Sequence, residues 1–133
     1  MKTKAVLSQT EVGQILAAAR AEALKNNWAV SIAVVDDGGH PLAMERLDGC
    51  AAIGAYIAME KARTSALGRR ESKGYEDMVN GGRNAFLSAP LLTSLEGGVP
   101  VIVDGQVIGA VGVSGVKADQ DAQVAKAGAD CFK

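Results

Sequence analysis

Apolar residues recur at a helical period near the N-terminus and at a strand period in two later places. Val12, Ile15, Leu16, Ala19 and Ala23 follow a 3.6-residue repeat, which predicts a helix from about Ser8 to Asn26 with that face buried. Ser8 and Glu11 have capping-box spacing, Leu7 and Val12 have staple spacing, and Asn26-Asn27 ends the element. Val30 to Asp36 and Leu42 to Leu47 read as strands. Asp37-Gly38-Gly39 turns between them, since glycine supplies the positive φ such a loop needs. Gly49 to about Arg70 is helical in composition, with Ile53, Ile57, Glu60, Lys61 and Thr64 at helical spacing. Glu71 to Glu96 holds Gly74, Gly81-Gly82 and Pro90, so short helices and loops are expected there. Val99–Val103 and Gln106–Ser114 read as strands around Asp104-Gly105, a two-residue hairpin signal. In the second of these strands Val107, Gly109, Val111 and Val113 share one face, and Ile108, Ala110, Gly112 and Ser114 the other. Neither face is polar, which predicts a central strand covered on both sides. Asp119 is expected to cap a final helix to about Cys131, with Val124, Ala127, Gly128 and Cys131 turned inward.

The order helix, hairpin, helix, irregular segment, hairpin, helix lacks the βαβ alternation of a parallel sheet. It predicts a single α+β domain spanning 1–133, an antiparallel sheet with helices on its faces. Hydrophobic residues make up 48% of the 133, yet 23 of them are alanine, only five residues are aromatic, and 16 more are glycine. Such a core favours close approach of backbones over large side chains. A net charge of −1 and no Lys/Arg run longer than two leave no electrostatic footprint for nucleic acid. No apolar stretch approaches the ~18–20 residues of a membrane span, and Ala5-Val6-Leu7 is too short for a secretory core. A cytoplasmic chain is expected. In that setting Cys50 and Cys131 read as free thiols, and a four-cysteine zinc site is excluded by count.

Gly109-x-x-Gly112-x-x-Gly115 has the wrong spacing for a dinucleotide loop and lies inside a strand, so it reads as a close helix–sheet contact. His40, the only histidine, is either a solvated loop side chain or an acid, base or axial metal ligand. Without a Gly-x-Ser-x-Gly elbow a hydrolase is disfavoured. Arg46 either pairs with Asp48 or receives a ligand carboxylate, and Asp48 either caps the second helix or meets a ligand. Tyr56, Glu60 and Arg63 or Thr64 share a helix face, with Lys61 one step round. The pair Gly97-Gly98 leaves space nearby.

Several segments together resemble one family. They are Glu96 to Gly115 (EGGVPVIVDGQVIGAVGVSG), Gln120-Asp121, Ala127-Gly128, Val35 to Leu42 (VDDGGHPL), Arg46 to Gly49 (RLDG) and Lys61 to Ala66 (KARTSA). In this order, over nearly the whole chain, they resemble the GlcG/HbpS family of haem-degrading domains. The resemblance implies a profilin-like fold, an antiparallel five-stranded sheet flanked by helices on both faces, assembled as a homo-oligomer. It also implies haem as a cofactor or ligand, or a place beside glycolate, diol or aromatic catabolism. One departure matters. Iron-binding members carry an acidic-x-x-Glu pair on the second helix, whereas here Glu60 follows Ile57, and one carboxylate is a weak iron site.

Three readings follow. The first is a haem or related tetrapyrrole-binding protein, involved in its degradation, with His40 as axial ligand and Arg46, Lys61 or Arg63 at the propionates. The second is an enzyme or binder for a carboxylate intermediate, with His40 or Glu60 as acid/base and Arg46 as clamp. The third is an assembly accessory acting through its oligomer surface. The ligand-contact set in the first two is His40, Arg46, Asp48, Tyr56, Glu60, Lys61, Arg63, Thr64, Gly97 and Gly98. Trp28, Tyr56, Tyr75, Phe86 and Phe132 are too scattered for one aromatic pocket, so a ligand site completed by a neighbouring subunit is expected.

Overall fold

A computed structural model describes residues 1–133. Helix α1 (Gln9–Lys25) starts at the Ser8/Glu11 capping box and buries Val12, Ile15, Ala19 and Ala23, as its periodicity predicts. Strands β1 (Ser31–Asp36) and β2 (Pro41–Arg46) form the first hairpin, and α2 (Ala52–Gly68) follows. The poorly patterned middle holds α3 (Lys73–Asn80) and a 3-10 turn at Asn84–Ser88. The second hairpin is β3 (Gly98–Val103) and β4 (Gln106–Ser114), and α4 (Ala118–Ala129) closes the chain.

The sheet is antiparallel in the order β2-β1-β4-β3. It has four strands, one fewer than the family resemblance implies. The residues between α2 and β3 are spent on α3 and the 3-10 turn and contribute no strand. Asp104 and Gly105 both take positive φ, 52° and 74°, as a tight primed hairpin turn requires.

Helices cover both faces unequally. On one side α1 and α4 pack Ile15, Ala19, Val124 and Ala125 against Ile32, Val34, Val111 and Val113. On the other, α2 lays Ala58, Ala62 and Ala66 on Ala33, Val35 and Ala110, an all-small interface. Glycine makes that closeness possible. A Cβ on Gly112 would lie 2.0 Å from the Ala58 carbonyl oxygen, and one on Gly98 2.2 Å from that of Lys61. The glycine-rich strand is thus a close helix–sheet contact.

Three local expectations change. Val101 pairs with Gly109 and Ile102 with Val107, so Ile108 is the extra residue of a β-bulge and joins the Val111/Val113 side. Asp48 is exposed and does not cap α2, whose N-cap is Ala51. The N-cap of α4 is Lys117, with Asp119 in the first turn; its buried face adds Asp121, Ala125 and Ala129, while Ala127 is half-buried and Cys131 exposed. Both cysteines are free thiols.

Candidate functional site

His40 stands at the tip of the first hairpin with its side chain 77% exposed. Asp36, the last residue of β1, organises that tip. Its Oδ1 accepts the backbone N–H groups of Gly38 and His40, each at 2.9 Å, and lies 3.1 Å from His40 Nδ1. Burial pushes the Asp36 carboxyl up, but those backbone donors and the imidazole outweigh it and hold it below the usual aspartate range. An ionised carboxylate only accepts, so Nδ1 carries the proton, and in the neutral imidazole the lone pair is then on Nε2.

The same turn rests on the C-terminal half of α2. Gly39, at φ 77°, sits where a Cβ would be 2.9 Å from Arg63 Cγ and 3.5 Å from Leu67 Cγ. Arg63 donates to Glu60 at 2.8 Å. His40, Asp36, Arg63 and Glu60 therefore occupy one end of the sheet. Leu42 and Leu67 add half-exposed apolar surface there, at 41% and 43%.

Arg46 and Tyr56 fall at the other end. Arg46 pairs in register with Ser31, against which the start of α2 packs at Gly54. Six residues of extended strand span ~20 Å, which separates Arg46 from His40. Arg46 is exposed, and no carboxylate, that of Asp48 included, lies within ion-pair distance. Asp48 lines a shallow depression of about 320 Å³ with Trp28, Leu24 and Leu47. None of the five cavities of the chain is lined by His40.

The remaining predicted residues are buried and already bonded. Lys61 is 4% exposed and donates to the Val113 carbonyl at 2.9 Å and to Asp121 Oδ2 at 3.0 Å. Thr64 is fully buried, its Oγ1 accepting the Thr93 N–H at 2.8 Å. Gly97 and Gly98 leave no space for a ligand. A Cβ on Gly97, at φ 134°, would be 2.7 Å from Lys61 Nζ, and the Gly98 N–H is held by Ser72 Oγ at 2.8 Å. A lysine one step off an amphipathic stripe reads as exposed unless its partner is known. That partner, Asp121, lies 60 residues away. Burial pushes the Asp121 carboxyl up, and the Lys61 ammonium and the Val116 N–H offset only part of that. Asp36 and Asp121 are the two residues that sequence reasoning missed. Asp36 had a signal: an aspartate four residues before a histidine across a Gly-Gly turn.

No cluster of three or more His, Cys, Asp or Glu side chains is arranged to hold a metal ion. Glu60 accepts from Arg63, and Ile57 stands three residues before it on the helix. What the hairpin tip offers chemically is one oriented imidazole nitrogen beside apolar surface and an arginine.

The family described as haem-degrading protein HbpS-like matches residues 7–130. The chain belongs to that family. Protein GlcG of Escherichia coli is 72% identical over 114 residues, covering 86% of this chain and 85% of its own length. A crystal structure of a double mutant of Streptomyces reticuli HbpS superposes with a TM-score of 0.90 at 28% identity, over 100% of this chain and 91% of that one. The PduOC:haem complex shares the fold, with a TM-score of 0.85 at 24% identity over 96% of this chain and 95% of that one. The match to the HbpS-like family spans both the His40 turn and the buried Lys61–Asp121 pair. No helix of the structure is long and apolar enough to cross a membrane.

Proposed function

We propose that this chain is a cytoplasmic protein that binds haem or a related tetrapyrrole through His40, as a homo-oligomer, in the service of haem degradation. The observation that carries the reading is the Asp36–His40 pair. Imidazole is a common haem-iron ligand, and a carboxylate on the far ring nitrogen fixes its tautomer and raises its basicity. The family description and the haem complex of a protein with this fold support the same reading. Bound haem would supply a redox-active iron. The residues of this chain would hold it: His40 Nε2 at the metal, Leu42 and Leu67 against the ring, and Arg63, released from Glu60, at a propionate. Arg46 lies too far along β2 to share that role, and Lys61 is committed to Asp121.

A porphyrin needs cover on both faces, and the hairpin tip provides one open surface. A neighbouring subunit supplies the other in this reading. Size-exclusion chromatography of the haemin-loaded protein, following Soret absorbance and mass together, tests it. Haem is expected to travel with an oligomer of this chain. Haem carried by a monomer, or by neither species, would overturn the proposal.

A further inference from the structure

We propose that the cleft between the C-terminal ends of α2 and α4 and the outer strand β3 binds a small multivalent oxyanion, a molecule carrying two or more carboxylate or phosphate groups. The cleft has a volume of about 270 Å³. Arg69, Arg70, Lys126 and Lys133 line it, against the apolar side chains of Val99 and Ile102. Of the two carboxylates also present, Asp130 is tied to Lys133 at 3.2 Å, and Glu71 pairs with neither arginine. Arg69, Arg70 and Lys126 have no carboxylate within ion-pair distance. Cations left unpaired around one small concavity favour a multiply charged anion over a single carboxylate.

Two features separate this arrangement from ordinary surface charge. Arg69 is the C-cap of α2 in the left-handed region, at φ 55° and ψ 40°. Glycine takes that position freely, and an L-residue is strained there. Here glycine stands one residue earlier, at Gly68, and the strained position is kept by an arginine that lines the cleft. Arg70 is held as well, its Cζ stacked 4.0 Å over the ring of Tyr75 and its Nη2 donating to Met78 Sδ at 3.9 Å, which leaves its other in-plane N–H groups without a carboxylate partner. One cation at each helix end would suffice to offset the two dipoles. A second cleft, of about 540 Å³, shares Arg69 and Ile102 and adds Lys2 and Lys4, of which Lys4 is paired with Asp37. Neither cleft includes His40, and the inference is independent of haem binding.

Isothermal titration with citrate, with pyrophosphate, and with acetate as the singly charged control tests this at physiological salt. Citrate or pyrophosphate should bind more tightly than about 1 mM and acetate should not. Citrate alone would assign carboxylates, pyrophosphate alone phosphates. Arg69→Gly relieves the backbone while removing the guanidinium, so it should melt no lower than wild type yet bind at least about tenfold more weakly. Lys126→Gln, on an exposed position, should also weaken binding. The proposal is overturned if neither multivalent probe binds, if acetate binds as well, or if both variants bind as tightly as wild type.

Discussion

Lys61 on α2 and Asp121 on α4 meet at 3.0 Å although their helices cover opposite faces of the sheet. They do so past the end of β4, where Lys61 also takes the Val113 carbonyl and Asp121 Oδ1 the Val116 N–H. Each side chain is 4% exposed. The pair pins the two layers together and fills the space beside Gly97.

Removing one partner leaves the other charge buried without compensation, which typically costs ~3–5 kcal/mol. Lys61→Met should therefore destabilise the fold by about that much in urea titrations. The double change Lys61→Met with Asp121→Leu should recover most of it. A single Lys61→Met variant as stable as wild type would show that the pair is dispensable.

Two glycines should respond oppositely to alanine. Gly112→Ala drives a Cβ into the backbone of α2 and should cost ~3 kcal/mol or more. Gly13 is exposed inside α1, and a methyl added there would meet nothing within 4 Å. Gly13→Ala should stabilise by ~0.5–1 kcal/mol through helix propensity. Thermal melts of the two variants, moving in opposite directions, would confirm the close contact of α2 with the sheet.

Much of this architecture was readable from periodicity and turn chemistry, because α1, both hairpins and the glycine contact depend on residues near one another in the chain. The capping box at Ser8 and the Asp104-Gly105 turn are local signals of that kind. The Ile108 bulge was not readable, since it depends on the partner strand. Nor was the burial of Lys61, whose partner comes from the last helix. At the site, His40 stood out as the only histidine. Its separation from Arg46 was readable as well, since the two stand at opposite ends of one six-residue strand; the seating of Arg63 and Leu67 beside Gly39 was not, because it depends on how α2 packs across the sheet.

The pH response of the hairpin tip follows from Asp36. Its carboxyl is lowered in the fold, so its contribution is complete above the ordinary aspartate range and is lost as pH falls through the folded value. Below about pH 4 wild type should lose stability more steeply than Asp36→Asn, which has no carboxylate to protonate there. Parallel denaturation curves at several pH values check this, and identical slopes would contradict it.

Asp36 should also matter for the ligand. If it sets the imidazole tautomer, Asp36→Ala should weaken haemin affinity by ~10–100-fold while leaving the bound spectrum that of an imidazole-ligated iron. Arg46→Ala, at the far end of β2, should leave affinity within about twofold. An Arg46 effect as large as the Asp36 effect would move the site to the other end of the sheet.

The most direct measurement is a haemin titration of wild type and His40→Ala, followed in the Soret band at stoichiometric haemin. Wild type should shift the band and saturate at a defined ratio, and His40→Ala should lose the shift or bind far more weakly with an altered spectrum. A wild-type protein that leaves the band unmoved, or a His40→Ala variant that titrates as wild type does, would contradict the assignment.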